Sequence, residues 1–208
     1  MTLRPPEKIA LSKADEADAS APRLRVDARK NEGAILEAAK LVFARSGVKA
    51  PIREIATQAG VGLATLYRRF PTRADLVAAV FKREVDACAD AAGLLAAMHG
   101  SVEALAAWLM LYTQFLSTKQ GLAAALHSGD SAFASLPDYF RSRFEPALSM
   151  LLNAAADAGE VRSDVASYDL LRGIGNLSTA SGEDGAAHTE RMVMLLLDGL
   201  RYGSRNAG

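Results

Sequence analysis

The stretch IREIATQAGVGLATLYRRF, Ile52 to Phe70, decides how this chain is read. Its first residues bring Ile52, Ile55 and Ala56 onto one side of a helical pattern. Gly60-Val61-Gly62 then breaks that pattern, and glycine is the residue that takes the positive φ of a sharp turn without strain. A second short segment follows from Leu63 to Phe70 and stops at Pro71. Two short helices joined by a three- or four-residue glycine turn form a helix-turn-helix. In that geometry Ala56 is small where the helices approach, and Ile55, Val61, Leu66 and Phe70 seal the interior. The first turn of the second helix, from Gly62 to Arg68, is left facing outward, as a helix that enters a major groove must be.

The pattern extends on both sides. Upstream, Ile35, Ala38, Ala39, Val42 and Phe43 recur at three- and four-residue spacing, predicting a helix that begins near Asp27 and ends at Gly47. Downstream, Thr72 is a good N-cap, with Asp75 three residues on to favour the positive helix end. That helix runs through Leu76, Val80 and Val85 to about Met98, long enough to join two domains without a flexible linker. Further helices are expected over 101–117, 120–127, 137–158 with Pro146 inside as a kink site, 167–178 and 187–202. No period-2 strand and no internal repeat is present. The expected fold is all-α, with about nine helices. A disordered arm over 1–26 would precede a helix-turn-helix domain over 27–85 and a helical regulatory and dimerisation domain over 86–208.

Composition narrows the function classes. Half of the 208 residues are apolar, enough for a sizeable core, and the 6% aromatic content with frequent Ala favours helix over sheet. Cys88 stands alone, which excludes an internal disulfide and a Cys-based zinc module. His99, His127 and His188 are scattered, without acidic partners at ligand spacing, so no metal and no cofactor is expected. No Gly-x-Ser-x-Gly elbow, phosphate-binding glycine loop or His-Glu-x-x-His helix is present, so the expectation is not an enzyme. The N-terminus lacks the apolar core of a signal peptide and no run reaches ~18 apolar residues. The expected location is therefore cytoplasmic, with no membrane partner. The formal net charge is zero, but its distribution is uneven. Between Arg23 and Arg83, thirteen Lys/Arg face five Asp/Glu, which leaves eleven against nineteen elsewhere. A basic N-terminal third on an acidic remainder suits a DNA-contacting domain carried on a regulatory body. An architectural helical protein that does not read sequence would satisfy the same charge map.

The segments that separate these readings are specific. Ile35-Leu36-x-Ala38-Ala39-x-x-x-Phe43, Ile52-Arg53-Glu54-Ile55-Ala56, Ala59-Gly60-Val61 and Thr65-Leu66-Tyr67-Arg68-Arg69-Phe70, continued by Arg73, Leu76 and Val80, together resemble the DNA-binding domain of the TetR family. The resemblance implies a sequence-specific transcriptional regulator. It further implies a repressor that binds an inverted-repeat operator on double-stranded DNA as a homodimer and is released by a small-molecule effector. Residue by residue, it puts Tyr67 on a phosphate. Arg73, at the family's lysine position, becomes a phosphate clamp at the N-terminus of the fourth helix. Leu63, Ala64 and Thr65 match positions at base edges or a thymine methyl, Arg68 matches a base or phosphate contact, and Arg53 joins the DNA-facing set. Two positions depart from the pattern: Gly62 replaces the common Ser or Thr cap of the recognition helix, and Arg69 stands where the family often has His.

The same resemblance assigns the rest of the chain to effector sensing and dimerisation. The stretches around Gly121, Glu160 and Gly199 are similar to one large subgroup of the family. Candidate pocket residues are Trp108, Tyr112, Phe115, His127, Phe140, Phe144 and Asn176, with Leu116 and Phe133 beside them. Trp108, Tyr112 and Phe115 share one helix face, and an aromatic stripe of that spacing suits a ligand cage or a plain core. The last two helices are apolar almost all round, so Leu170, Ile174, Leu177, Met192, Leu196 and Leu200 are the expected dimer interface.

Overall fold

The structure is a computed structural model and describes residues 13–117, 129–178 and 185–204. Among them are eight α-helices and no strand: α1 Lys13–Ser46, α2 Ile52–Ala59, α3 Leu63–Arg69, α4 Arg73–Met98, α5 Ser101–Ser117, α6 Leu136–Asp157, α7 Ser167–Leu177 and α8 Gly185–Ser204. The helix expected over 120–127 lies outside the described residues. A 3-10 turn, Ser131–Phe133, was not legible in the sequence; the Asp130 side chain caps it through the Ala132 amide (2.9 Å), and it buries Phe133.

Two cores organise the molecule. The smaller gathers Ile35, Ala38, Ala39 and Val42 of α1, Ile55 and Ala56 of α2, Leu66 of α3, Phe70, and Leu76 of α4. The larger joins α4 to α5, α6, α7 and α8 through Phe81, Val85, Leu105, Trp108, Leu109, Phe144, Leu148, Ile174, Val193 and Leu197, among others. The expected connecting helix is α4, and it serves both cores at once. Leu76, Ala79 and Val80 pack on the small core, while Val77, Ala78 and Phe81 enter the large one. Residues three and four apart share a helix face, so two interleaved apolar sets give α4 two buried sides over this stretch.

The first helix begins inside the segment expected as an arm over 1–26. The backbone is helical from Lys13, well ahead of the start read near Asp27. The run from Lys13 to Ala21 lacks an apolar period but is rich in Ala, whose intrinsic preference is the most helical. Residues 1–12 lie outside the described residues. Further along, α6 continues through Pro146, whose exposed ring leaves the carbonyl one turn earlier open to water.

Helix ends follow local chemistry. Thr72 and Asp75 form a complete capping box at α4: the Thr72 hydroxyl accepts the Asp75 amide (3.0 Å) and the Asp75 carboxylate accepts the Thr72 amide (3.0 Å). Thr72→Ala is expected to lower stability by about 1 kcal/mol, visible as a downward shift in thermal melting, while Thr72→Ser leaves the melting temperature near that of wild type. A Thr72→Ala melting curve that superimposes on wild type would show that the box contributes nothing.

Candidate nucleic-acid interface and regulatory body

The turn of the helix-turn-helix is built by Gly60. It lies in the left-handed region (φ 68°), and it lets two amides fold back on α2, Gly60 onto the Thr57 carbonyl (3.2 Å) and Val61 onto the Ala56 carbonyl (3.0 Å). Gly62 then opens α3 in extended geometry with no side-chain cap; its carbonyl accepts the Thr65 and Leu66 amides (3.0 and 3.1 Å). The loss of a cap hydrogen bond expected from glycine at this position is therefore seen directly. On α3, Leu66 is buried with the following Phe70, and Leu63 and Thr65 are half-buried. Ala64, Tyr67, Arg68 and Arg69 point outward, Tyr67 with 49% of its surface exposed, and Arg53 is exposed on α2. Of the sequence-predicted contact set, Arg53, Ala64, Tyr67, Arg68 and Arg69 are exposed, while Leu63 and Thr65 lie half-buried and Leu63, Leu66 and Phe70, at i, i+3 and i+7, hold the segment to the core.

Packing divides the basic residues around that face in a way spacing could not reveal. Arg69 bonds Glu32 of α1 (2.6 Å), and Arg45 of α1 pairs with Glu54 of α2. Lys40 meets Glu84 (3.0 Å), and Arg83 meets Glu37 (3.2 Å) and the Gly33 carbonyl (2.9 Å). Arg73 donates from Nη1 to the carbonyls of Val48 (2.7 Å) and Ala50 (2.6 Å). Exposed pairs of this kind add little to stability, but they tie α2, α3 and α4 to α1 and occupy cations. Arg53 and Arg68 have no side-chain partner among the described residues.

Five of the seven expected pocket residues come together in the large core. The Trp108 and Tyr112 rings stack at 5.5 Å with an interplanar angle of 4°, and Phe144 meets both edge-on at 6.0 and 5.1 Å. Phe115 lies against Tyr112, Phe144 and Phe140, and Phe81 of α4 closes on Phe140 at 4.5 Å. Trp108 Nε1 donates to the Cys88 carbonyl of α4 (2.9 Å), and burial pushes the Tyr112 hydroxyl above the ordinary tyrosine range. These rings fill space with one another. Asn176 does not join them: it is exposed, on the side of α7 opposite the buried Leu170, Leu171 and Ile174. His127 lies outside the described residues.

Beside the rings, α6 is fastened to α4 by a polar bridge that sequence reading missed. The Tyr139 hydroxyl lies 2.7 and 2.8 Å from the two Asp86 carboxylate oxygens. Arg143 reaches Asp86 from Nε (2.7 Å) and Asp90 from Nη2 (2.6 Å). Desolvation, helped by the hydrogen bond to Asp86, pushes the Tyr139 hydroxyl up to about 12. The partners lie more than fifty residues apart in sequence, so no local spacing signals them.

Comparison with known proteins bears on the whole chain. Residues 35–80 match the family described as bacterial regulatory proteins, tetR family, and residues 100–202 match the C-terminal domain of SbtR-like transcriptional regulators. A TetR transcriptional regulator from Streptomyces coelicolor is 40% identical, with a TM-score of 0.65 over 81% of this chain and 97% of that one. The chain belongs to the TetR family. A second member, from Mycobacterium vanbaalenii, is 34% identical, with a TM-score of 0.65 over 86% of this chain and 99% of its own. The fold is also that of FadR from Bacillus subtilis in complex with stearoyl-CoA, at 19% identity and a TM-score of 0.58, over 81% of this chain and 98% of that one. A comparison with the sequences of curated proteins gives no match. This TetR protein is a DNA-binding transcriptional regulator, and among the described residues no helix is long and apolar enough to cross a membrane.

In this TetR chain the residues expected at the dimer interface divide by packing. Leu170, Ile174 and Leu200 are buried within the subunit's own large core. Leu177 and Met192 are half-buried, and Leu196 is 37% exposed. Leu195 is 63% exposed, and Met194 and Tyr202 are exposed too. The inward side of α8 is the set Thr189, Val193, Leu197 and Leu200. An apolar-all-round helix does not say which stripe faces its own core; the registration of α8 on α5 and α7 does.

Proposed function

We propose that the chain is a repressor that binds an inverted-repeat operator on double-stranded DNA as a homodimer and leaves it when a small apolar effector binds the C-terminal body. The observation that carries this reading is the outward face of α3 and α2, where Tyr67, Arg68 and Arg53 stand exposed and Leu66 with Phe70 anchors the helix from behind. In use, Tyr67 and Arg53 hold phosphate, Thr65 with Leu63, Ala64 and Gly62 lies against base edges, and Arg68 reaches a base or phosphate. A groove-entering helix must present its N-terminal turn, and the bare Gly62 carries no side chain to obstruct that approach. The partner subunit packs on the exposed stripe of α8 that contains Leu195 and Leu196, flanked by Met192, Leu177 and Tyr202. An isologous pairing of that stripe sets two recognition helices on a two-fold axis and demands an inverted repeat. The effector enters beside Trp108, Tyr112, Phe115, Phe140 and Phe144, and it must repack those rings. The chain acts by binding and not by catalysis, and works inside the cell, where its operator is.

Selection from a random duplex pool followed by shift assays tests the reading. One inverted repeat should be preferred over its scrambled version; equal, weak binding to every duplex would overturn it. Arg68→Ala should then cost about 1–3 kcal/mol on the selected site. Thr65→Ala should change which site is preferred, and an unchanged preference in both variants would move base reading away from α3.

A further inference from the structure

Arg73 has two possible uses, and its surroundings favour one. It occupies the first position of α4, immediately after the Thr72 cap, and its guanidinium is half-buried. Its Nη1 donates to both the Val48 carbonyl (2.7 Å) and the Ala50 carbonyl (2.6 Å). A terminal guanidinium nitrogen carries two hydrogens, so both are engaged. The short distances fit charge-assisted bonds to strong acceptors. Those carbonyls belong to the connection between α1 and α2. The Ala50 amide itself bonds the Gly47 carbonyl (3.1 Å), the Ala50 side chain is buried in the small core, and Pro51 is the N-cap of α2, with the Glu54 amide on its carbonyl (3.0 Å). One nitrogen of Arg73 therefore links the start of α4 to the start of α2.

We propose that Arg73 is a positioning residue for DNA binding and not a phosphate ligand: it clamps the α1–α2 connection to α4, so that α2, and with it the recognition helix packed on α2, is held at a set angle. This rests on the DNA-binding reading above. The physical case is one of competition. The guanidinium keeps three further N–H groups, on Nη2 and Nε. Carrying it outward to a phosphate would still take Nη1 off two carbonyls at the rim of the core, and an unmade bond to a partly buried carbonyl is unfavourable. The salt slope of Arg73→Ala reads any phosphate contact made by Nη2 or Nε. Arg68 and Arg53 face no such loss, since they have no side-chain partner among the described residues. Arg69 is restrained by Glu32 in the same direction, bracing the far end of α3 against α1.

The experiment uses the full chain and the duplex that wild type selects from a random pool. Affinity is measured across a potassium chloride series, and amide exchange is measured without DNA. Arg73→Ala should weaken binding about tenfold on every duplex, with the slope of log affinity against log salt changed by well under one unit per protomer. The Ala50 and Glu54 amides should exchange faster, and Arg73→Lys, which keeps a cationic donor of similar reach, should restore both affinity and protection. Arg53→Ala, at a residue placed on phosphate, serves as the comparison and should flatten the slope by about one unit. A loss of about one unit of slope in Arg73→Ala, or unchanged exchange at Ala50 and Glu54, overturns the proposal. If Arg73→Ala does not fold, Arg73→Gln, which keeps a neutral N–H donor, is read by the same two criteria. If wild type selects no duplex, the DNA-binding reading falls and this proposal with it; normal selection with a lost slope removes only the proposal.

Discussion

Leu66→Ala is expected to abolish operator binding while leaving the helical body folded. Leu66 is the buried side chain of α3, 1% exposed, and it holds a seven-residue helix against α1 and α2. Removing a fully buried leucine side chain costs about 2–5 kcal/mol, the larger values where the site cannot collapse. Beside Leu66, the half-buried Leu63 and the following Phe70 are the apolar contacts of this segment with the small core. A helix of two turns does not persist in water by itself, and this one lacks a side-chain cap because Gly62 occupies that position. The outward set Thr65, Tyr67 and Arg68 would then lose its common orientation. The single tryptophan offers a clean control. Trp108 lies in the large core, so its emission should stay native while fluorescence anisotropy on labelled operator shows no binding. Wild-type affinity in Leu66→Ala would mean that α3 is not held through this contact.

Trp108→Ala should be the most damaging single change to the body. The indole is 0% exposed, stacks on Tyr112, meets Phe144 edge-on and donates to the Cys88 carbonyl. Truncating a buried tryptophan costs about 3–5 kcal/mol, and for a chain of this size each kcal/mol moves the melting temperature by roughly 2–4 °C. A drop of roughly 6–20 °C by circular dichroism is therefore expected. Trp108→Phe keeps most of the ring contact and loses the N–H donor, so it should fall well short of that. The Cys88 carbonyl sits on α4, and the lost donor would loosen the α4–α5 contact beside the Asp86–Tyr139–Arg143 bridge to α6. A Trp108→Ala protein melting within a degree or two of wild type would show that the aromatic cluster is not a core.

The helix-turn-helix was legible because its information is local. Gly60, Gly62, Pro71 and the Thr72–Asp75 pair each act within a few residues, through φ preference, a missing side chain or a cap. The periodicity of Ile52, Ile55 and Ala56, then Leu66 and Phe70, likewise needs only the helical repeat to be read. The early start of α1, at Lys13, was not legible for the complementary reason. Ala-rich helix without an apolar face carries no period, so only its propensity marks it. Roles of charged residues were less legible still. Arg68 and Arg69 are adjacent and chemically identical, yet one is unpartnered among the described residues and the other is bound to Glu32, thirty-seven residues away.

The sequence by itself determined the all-α class, the recognition helix and its outward face, the long helix joining two cores, and membership of a DNA-binding family. Each is written in short-range spacing and turn chemistry. Tertiary structure alone decided which side of α8 is left exposed. It decided that Leu170, Ile174 and Leu200 serve the subunit's own core, that the aromatic stripe on α5 closes on Phe140, Phe144 and Phe81, and that Arg73 points at Val48 and Ala50. The reason is geometric: these outcomes depend on how one helix is rotated against another, and that rotation is set by long-range packing of side chains whose own spacing allows several registers.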